Sequence, residues 1–531
     1  MKEKLNNLIR EAIESLGLGS VDFVVEHPTD LKMGDYSTNV GIKTGKSKEI
    51  FEALRQAQGN FNFINKIEIA GPGFINFYLS KEFFKKSLGE IIEKESEFGK
   101  NENLKGQKVM VEHTDPNPFK EFHVGHLMPN VIGSTVARIF EWNGAEVKQA
   151  CYQGDVGVHI AKAVWGILKG AEDPYVAGNR AFEEDEEVKK EIEEINRKIY
   201  NKSDEKINKI YEKGRNASLE YFEAIYRKLG TKFDYYFFES ETGEIGKKIV
   251  EENMRQSLPA GRQVFEESLG AIVFKGSHTR VFINSQGLPT YEAKDLGNAK
   301  LKYDNYPYDL SIVVTGNEIK DYFKVVLEAM KEVLPELAVK TKHLPHGLLR
   351  LPTGKMSSRT GDVITAEALI EGVKEKVKGD EMVAIGAIKY MILRQAIGND
   401  IVFDIDKSVS VEGDSGVYLQ YAYARTNSLL ERAKEQGSDG QHSVLTRETR
   451  EVERLLYRFP EVVERAGKEY APHYIVTYLT ELAGSFNNFY AHEQIIDDSP
   501  ESPYRLAISK AFNIVIKNGL TILGIPAPER M

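Results

Sequence analysis

The stretch KVMVEHTDPNPFKEFHVGHLMPNVIGSTVARIFEWNGAEVKQACYQGD, residues 108–155, decides the fold class. It begins with a short apolar run, KVMVEHT, and continues through a loop that contains two prolines. Apolar side chains then recur with helical spacing from Leu127 to Phe140, and Asn143-Gly144 ends the helix. The run AEVKQACYQGD indicates a second strand. A strand, loop, helix and strand of this length predict a βαβ crossover, the repeating unit of a parallel sheet.

Two histidines, His123 and His126, flank Gly125 at the predicted start of that helix. A metal site would need a third ligand, and the chain has neither an HExxH pattern nor a cysteine cluster. The rings could instead be structural and satisfied within the fold. In open α/β sheets, however, ligands bind at the carboxyl ends of the strands, where a helix N-terminus attracts phosphates. We therefore expect the imidazoles to donate to a phosphate, and Gly125 to leave room for the ligand.

A second basic segment, RLPTGKMSSRTGDVIT, occupies residues 350–365. Two glycines there bracket a lysine, two serines and an arginine. By itself this composition is typical of a polar surface loop. Together with the histidine pair upstream, it favours a second functional segment over an ordinary loop.

The rest of the chain divides into regions of different composition. Residues 1–100 predict a small α/β domain, in which KIEIAGPGFINFYLS indicates a strand, a tight turn and a strand. The sheet domain is expected at 105–350, with a charged helical insertion near 165–270. A loop and junction follow at 350–400, and residues 400–531 predict a helical domain.

Composition limits the class of protein. The formal net charge of −10 does not indicate non-specific phosphate binding, although an acidic protein can have one basic face for RNA. The single cysteine, Cys151, excludes an internal disulfide and a multi-cysteine zinc site. We find no run of about 18 apolar residues and no signal-peptide core at the N-terminus. We therefore expect no membrane span and a reducing, cytoplasmic location.

The two motifs together resemble the HIGH and KMSKS signatures of class I aminoacyl-tRNA synthetases. Their context is similar to the arginyl-tRNA synthetase family. The segments that carry this resemblance are, in chain order, GDYSTNV (34–40), AGPGFINFYLS (70–80), VEHTDPNPFKEFHVGH (111–126), YEAKDLGNAK (291–300), KMSSRTGDVIT (355–365), YLQYAYAR (418–425) and GLTILGIPAPERM (519–531). They are distributed over nearly the whole chain.

The resemblance implies a fold and a reaction. The fold is an α/β Rossmann-like parallel-sheet catalytic domain with helical insertions, a small α/β N-terminal domain and an all-α C-terminal anticodon-binding domain. The family activates L-arginine with ATP to give arginyl-adenylate and pyrophosphate, and then transfers arginine to the terminal adenosine of tRNA(Arg) for translation. Mg²⁺ would be held mainly by the ATP phosphates. We expect a monomer whose N-terminal domain touches the outer corner of the tRNA.

The resemblance also implies roles for individual residues. In this family, catalysis is mainly positioning and charge stabilisation of the leaving pyrophosphate. The residues that would bind ATP are His123, Gly125, His126, Lys355, Met356 and Ser357. The residues that match the family's arginine-binding positions are Glu112, Asn117, Tyr291 and Asp295. Carboxylates suit a guanidinium because they form paired, charge-assisted hydrogen bonds with it.

The helical domain would recognise the anticodon by aromatic stacking and by hydrogen bonds to base edges. The residues expected to contact tRNA are Tyr418, Tyr421, Arg425 and Asn427, with Tyr423 as a further aromatic candidate. Some of these tyrosines could instead be helix-packing residues.

The chain departs from the family pattern at two positions that matter for chemistry. Ser358 replaces the second lysine of KMSKS, and Lys120, just before the histidine motif, is the expected catalytic substitute. Ile319 occupies the position of the usual arginine-contacting glutamine and cannot hydrogen-bond through its side chain. Asn317 or Glu318 could replace that contact.

Other functions fit parts of the pattern. One is a class I synthetase for another amino acid, but the acidic pair Glu112 and Asp295 favours a cationic substrate. Another is an inactive relative that binds tRNA without ligation, which the changes at Ser358 and Ile319 keep open. A third is a small-molecule ligase on the same nucleotide-binding fold, against which the long helical C-terminal region argues.

Overall fold

The computed structural model describes residues 1–58, 62–254, 263–352, 364–437 and 449–531. The elements of its N-terminal region are α1 (Lys2–Ser15), β1 (Val25–Glu26), β2 (Tyr36–Thr38), α2 (Val40–Thr44), α3 (Ser47–Gln58), β3 (Ile64–Ala70), β4 (Phe74–Leu79) and α4 (Lys81–Lys94). The strands pair antiparallel in the order β1-β2-β4-β3. Gly71 and Gly73, with φ of 52° and 125°, form the turn of the β3–β4 hairpin, which confirms the predicted strand, turn and strand.

The central region alternates strands and helices. Its elements are β5 (Lys108–Glu112), α5 (Val124–Trp142), β6 (Glu146–Gln153), α6 (Val158–Leu168), α7 (Pro174–Glu184), α8 (Glu186–Asn201), α9 (Glu205–Leu229), β7 (Tyr235–Phe238), α10 (Glu239–Asn253), β8 (Glu266–Ser268), β9 (Ala271–Lys275), β10 (Thr279–Ile283), α11 (Tyr291–Asn305), β11 (Leu310–Gly316), α12 (Lys320–Val333), α13 (Pro335–Lys340), β12 (Thr341–His346) and β13 (Leu349–Arg350).

The main sheet of this region is parallel, in the strand order β12-β11-β5-β6-β7. The predicted crossover is confirmed as β5–α5–β6, and α5 is buried along most of its length because it packs between the sheet and the C-terminal helices. Helices α6–α9 are inserted between β6 and β7. Strand β7 lies within the range 165–270 expected for the insertion, yet it pairs with β6 in the main sheet. A separate antiparallel sheet has the order β10-β9-β8.

The last region is helical, as predicted. Its elements are α14 (Ala366–Lys376), α15 (Glu381–Leu393), β14 (Ile401–Val402), α16 (Ile405–Ser408), α17 (Gly416–Glu435), α18 (Glu451–Leu456), α19 (Phe459–Glu469), α20 (His473–His492) and α21 (Ser502–Leu523). Helix α21 is long and apolar enough to cross a bilayer, but 72% of its most apolar window is buried inside the protein. It is therefore the central helix of this region, and its side chains join one core with the sheet domain. The predicted fold class is confirmed.

The carboxyl end of α21 is fixed to the helix that begins with the histidine pair. Arg138 on α5 donates to the Ile522 carbonyl at 2.9 Å. Lys389 on α15 donates at 2.6 Å both to the Gly524 carbonyl and to the Leu229 carbonyl at the end of α9. Burial and the nearby Arg138 hold the pKa of Lys389 well below its usual range. Carbonyl groups at the ends of two helices, which lack a partner within their own helix, therefore accept hydrogen bonds from one lysine.

The N-terminal region docks on the helical region through a half-buried carboxylate. Glu461 on α19 accepts from His27 Nε2 at 3.1 Å and from the Tyr36 hydroxyl at 2.5 Å. Burial raises the pKa of Glu461, but the bonds and charge of His27 and the Tyr36 hydroxyl outweigh burial and lower that pKa to about 2. Arg454 on α18 pairs with Asp35 at 2.7 Å. These contacts join parts of the chain more than 400 residues apart.

Candidate active site

The two histidines of the motif cap the N-terminus of α5. His123 Nδ1 accepts from the Gly125 backbone N–H at 3.0 Å, and His126 Nδ1 accepts from the His123 N–H at 3.3 Å. The rings stack with their centroids 3.8 Å apart. Because both Nδ1 atoms accept, each neutral ring carries its proton on Nε2, and no described residue accepts a hydrogen bond from it. The structural role and the phosphate-binding role are therefore compatible.

Both histidines are neutral at pH 7. Burial and Lys120 lower the pKa of His123 to about 4. Burial, His123 and Lys120 lower the pKa of His126 well below its usual range. The pair can therefore offer N–H donors and the positive end of a helix to an anion, but not cationic charge. A Cβ at Gly125 would lie 2.8 Å from the His123 ring, so the glycine is required by the cap itself.

The loop before the motif has an unusual backbone. Thr114, Asp115 and Phe119 adopt positive φ values of 83°, 41° and 65°. Non-glycine residues in this conformation store strain and cluster at functional sites. The Phe119 N–H donates to Ser218 Oγ on α9 at 2.8 Å, which ties the loop to the inserted helices.

Lys120 lies between the motif and the inserted helices. Its ammonium group is 4.8 Å from the centre of the Tyr175 ring on α7. Its charge acts on His123 and His126 and also lowers the pKa of Glu239, although burial raises that pKa overall. A positive charge at this position can therefore reach both an anion on the histidines and the acidic pocket described below.

The residues at the downstream end of the second motif, 364–366, lie beside the histidine pair. Lys355, Met356, Ser357 and Ser358 lie outside the described residues. The Val124 N–H donates to the Ile364 carbonyl at 3.2 Å, and the Ala366 N–H donates to the Phe122 carbonyl at 2.8 Å. An isolated bridge joins His123 to Thr365. The chain that leaves the second motif therefore runs beside the histidine pair.

Four acidic side chains interact near the carboxyl ends of β5, β6 and β7, and this cluster of Glu112, Asp115, Glu239 and Asp295 is called the acidic pocket below. Glu112 ends β5, but Lys302 pairs with it at 2.7 Å and Asn298 Nδ2 donates to it at 2.9 Å. All three side chains are buried. The charge of Glu112, expected to bind a guanidinium, is thus already neutralised within the protein.

Asp295 on α11 is different, because no cationic side chain pairs with it among the described residues. Its Oδ2 accepts from the Tyr322 hydroxyl at 2.6 Å. Burial raises the pKa of Asp295 to about 7, with Glu112 and Glu239 acting in the same direction and Tyr322 opposing them. This carboxylate would gain most from an incoming cation.

Asn117, Tyr291 and Glu239 surround the same pocket. A Cβ at Gly154 would lie 2.2 Å from Asn117 Oδ1 and 3.0 Å from Glu239 Oε1, so the glycine makes room for both side chains. Tyr291 begins α11 and is 54% exposed. Its ring centre is 5.2 Å from the ammonium of Lys294, which pairs with Glu239 at 2.6 Å.

Sequence reasoning missed Asp115, Glu239, Lys294 and Tyr322. Asp115 Oδ1 accepts from the Tyr152 N–H at 2.7 Å, and burial and Glu112 raise the pKa of Asp115 well above its usual range. Glu239 follows the apolar run YYFF directly, and an acidic residue immediately after an apolar run was a signal that could have indicated it. The pairing of Tyr322 with Asp295 had no such local signal.

Asp155, in the Gly154-Asp155 pair after β6, connects the elements around the acidic pocket. Asp155 is fully buried and accepts from the Ser240 N–H at 2.9 Å, from Ser240 Oγ at 2.8 Å and from Arg215 Nε at 2.9 Å. It therefore fastens α9 and the start of α10 to the end of β6. In the described residues there is no group of three His, Cys, Asp or Glu side chains suited to a metal ion.

The residues expected to contact RNA lie on α17. The Arg425 guanidinium stacks 3.9 Å from the centre of the Tyr490 ring on α20, and Tyr421 is 41% exposed. Tyr418 accepts from Asn487 Nδ2 at 2.8 Å, and Asn427 Nδ2 donates to the Glu529 carbonyl at 3.4 Å.

Tyr423, the further aromatic candidate, is 2% exposed and belongs to the core, so it is a helix-packing residue. Next to the Arg425–Tyr490 stack, a cavity of about 330 Å³ opens between α17 and α20, with Arg432, Gln436 and Gln494 in its wall.

Comparison with known proteins agrees with this arrangement. Residues 87–405 match the family model for the tRNA synthetases class I (R) catalytic domain. Residues 3–79 match the arginyl tRNA synthetase N-terminal domain, and residues 419–531 match the DALR anticodon binding domain. The fold and the capped histidine pair thus define a class I aminoacyl-tRNA synthetase. The chain belongs to the arginyl-tRNA synthetase family.

Individual relatives cover the full chain. It is 30% identical to an arginine–tRNA ligase of Halothermothrix orenii, with 100% of this chain and 99% of the relative covered. It is 29% identical to arginine–tRNA ligases of Streptococcus pneumoniae, with both chains covered completely. Its fold is similar to that of a Thermus thermophilus arginyl-tRNA synthetase (TM-score 0.79, 24% identity, 100% of each chain). It is also similar to the Plasmodium falciparum enzyme (TM-score 0.77, 21% identity, 100% of this chain and 99% of that one).

Proposed function

We propose that the chain is an arginine–tRNA ligase that activates L-arginine with ATP and transfers it to tRNA(Arg). The observation that carries the choice of substrate is the acidic pocket, in which Asp295 has a raised pKa and no cationic partner among the described residues. A guanidinium would supply the missing charge and form paired hydrogen bonds with a planar carboxylate. Asn117, Tyr291 and Glu239 would line the remainder of the arginine site, with Glu112 acting behind it through Lys302.

The first step is the attack of the arginine carboxylate on the α-phosphorus of ATP, which forms the mixed anhydride as pyrophosphate leaves. The neutral rings of His123 and His126 would donate their Nε2–H groups to the phosphates, near the N-terminus of α5. Lys120 would add positive charge, and Lys355, Met356 and Ser357 would close the site from the second motif. Mg²⁺ would arrive bound to the ATP phosphates. In the second step, a hydroxyl of the terminal adenosine attacks the arginyl carbonyl and AMP leaves.

The anticodon loop of the tRNA would contact Tyr418, Tyr421, Arg425 and Asn427 on α17. The stack of Arg425 on Tyr490 supports this, because unpaired bases in RNA loops are commonly bound between aromatic rings and guanidinium planes. The N-terminal region would contact the outer corner of the tRNA.

The regions would act as four functional parts, 1–100, 105–350, 350–400 and 400–531, with the insertion near 165–270 in the second. We further propose that the enzyme works as a monomer in the cytoplasm. The burial of its single cysteine, Cys151, suits a reducing compartment. Light scattering of the purified chain tests the oligomeric state.

The deciding experiment is ATP–pyrophosphate exchange with each amino acid, measured with and without tRNA. The proposal expects exchange with arginine that depends on tRNA. Exchange with another amino acid would mean that the chain is a synthetase for that amino acid and not for arginine. Absence of exchange with every amino acid would instead favour an inactive tRNA-binding relative.

The role of Lys120 has its own test. Because the charge of Lys120 acts on both histidines, Lys120→Ala should lower arginine-dependent exchange about 100-fold, a loss typical of removing one group that stabilises a transition-state charge. Lys206→Ala, an exposed lysine on α9, is the matched control and should leave the rate unchanged. Unchanged adenylate formation in Lys120→Ala would refute this role.

A further inference from the structure

The contact between Tyr322 and Asp295 joins two helices across the acidic pocket. Tyr322 lies in the first turn of α12 and Asp295 in the second turn of α11. The tyrosine hydroxyl donates to Asp295 Oδ2 at 2.6 Å. In the part of the chain that the structure describes, Asp295 Oδ1 has no hydrogen-bond partner. One oxygen of the carboxylate is therefore held and the other is left for a ligand.

The segment that carries Tyr322 lacks its expected polar group. The turn Asn317–Ile319 precedes α12 directly, and Ile319 cannot hydrogen-bond through its side chain. Glu318 does not supply this polar group, because its carboxylate folds back over Gly316. A Cβ at Gly316 would lie 2.1 Å from Glu318 Oε2. Tyr322 follows Ile319 by three residues, and its hydroxyl is the polar group that this segment directs at Asp295.

The ring of Tyr322 is anchored. It packs against the core formed by α10–α13 and the β8–β10 sheet, and the Arg280 guanidinium lies 5.8 Å from its centre. Arg280 in turn is 3.9 Å from Glu292 on α11. A ring fixed by such packing can set the direction of a carboxylate more sharply than a mobile side chain would.

The surroundings of Asp295 disfavour the charged form of its carboxylate, so a fixed hydrogen-bond donor has a large effect on it. The titratable and charged groups that act on Asp295 or Tyr322 come from β5, the loop after it, β6 and helices α10 and α11, and from β10. They are Glu112, Asp115, Tyr152, Glu239, Glu292, Lys302 and Arg280. Burial and the acidic neighbours raise the pKa of Asp295 to about 7, whereas the hydrogen bond from Tyr322 lowers it.

We propose that Tyr322 is a positioning residue for arginine binding: it holds Asp295 Oδ2 by a hydrogen bond and thereby presents Oδ1 to the guanidinium. This rests on the proposed function, since it needs arginine in the acidic pocket. It gives the α12 segment a substrate-site role through a residue one turn beyond Ile319. No contact between Tyr322 and the substrate is required.

The test is Tyr322→Phe, which keeps the ring and removes the hydroxyl. Loss of a hydrogen bond to a charged group should raise the KM for arginine about tenfold, with kcat changed by less than about twofold. The acid limb of kcat/KM for arginine should move to higher pH, because the pKa of Asp295 rises when its donor is lost. Tyr303→Phe is the matched control, since Tyr303 packs against the same core but its hydroxyl accepts from Lys340 at 3.2 Å. It should change neither value.

Tyr322→His supplies a second variant, because a ring N–H can replace the hydroxyl as a donor. It should retain more arginine affinity than Tyr322→Phe, and tryptophan fluorescence checks that both variants are folded. Equal losses in the two variants, a fall in kcat without a change in KM, or an unchanged acid limb would each overturn the proposal. Wild-type exchange with arginine separates this outcome from a failure of the proposed function, because that function fails only if the wild type lacks the exchange.

Discussion

Asp295→Asn tests whether the acidic pocket is destabilised by its own charge. Asparagine has nearly the same shape, and its oxygen can still accept from Tyr322. The substitution removes a negative charge that burial, Glu112 and Glu239 all oppose. We therefore expect a variant that is more stable than the wild type and that binds arginine poorly.

The size of the effect follows from the pKa. Asp295 titrates at about 7 in the folded protein, against an ordinary value of 3.8. This rise in pKa corresponds to roughly 4 kcal/mol at full burial, and we expect about 2 kcal/mol because the side chain keeps partial contact with water. A raised carboxyl pKa means that the folded state binds more protons than the unfolded state. Stability of the wild type therefore falls as pH rises from about 4 to about 7, and the variant lacks this fall.

The advantage of Asp295→Asn should thus be about 2 kcal/mol at pH 8 and below about 1 kcal/mol at pH 5. Urea unfolding at both pH values measures it. The two tryptophans, Trp142 and Trp165, both lie in the central region, so their fluorescence reports on the domain that contains the pocket. In the exchange assay, kcat/KM for arginine should fall about 100-fold or more, since the guanidinium loses a buried charged partner.

Asp304→Asn is the matched control on the same helix. Asp304 is exposed and pairs with Lys300, so its loss should change stability by less than about 0.5 kcal/mol at either pH. The reasoning is refuted if Asp295→Asn is no more stable than the wild type at pH 8, or if its advantage does not grow between pH 5 and pH 8.

Three further predictions concern the rest of the chain. Lys389→Met leaves the ends of α9 and α21 without their shared donor and should lower the free energy of unfolding by about 2 to 4 kcal/mol, measured by urea denaturation; an unchanged midpoint would contradict it. Arg425→Ala breaks the stack on Tyr490 and should raise the KM for tRNA about tenfold in aminoacylation, with the KM for arginine unaffected. Glu461→Gln weakens the bond from His27 and should cost about 2 kcal/mol at pH 7. That cost should disappear as pH falls from 4.5 to about 2, because the wild-type carboxyl then becomes protonated; circular dichroism during denaturation measures it.

Much of the fold could be predicted from local patterns of apolar residues and turn residues in the sequence. The β5–α5–β6 crossover follows from apolar spacing and from the Asn143-Gly144 stop, and the β3–β4 hairpin follows from its glycine turn. Each of these features depends on residues close together in the chain, where spacing determines which side chains share a face. Strand β7 was missed because a short strand between long charged helices has no periodic signal of its own.

The candidate site was predictable in position but not in its charge pairing. The histidine pair was expected at a helix start, and its capping bonds to Gly125 and His123 place it there. Tyr423 was a candidate for RNA contact, but the packing of α17 against α21 buries it. The side of a helix that faces its partners depends on where those partners pack, and they come from elsewhere in the chain.

The sequence by itself determined the class of protein, the place of the histidine pair at a helix start, and two nearby acidic residues, Glu112 and Asp295. The tertiary structure added Asp115 and Glu239 to these acids. The tertiary structure decided which of those acids is available to a ligand. Lys302 neutralises Glu112 and Lys294 neutralises Glu239, which leaves Asp295 with a hydroxyl in place of a cation. The physical reason is that strand order and helix packing together bring residues 55 to 190 positions apart into contact. In a buried pocket, the pKa of a carboxylate depends on those neighbours and not on its own motif.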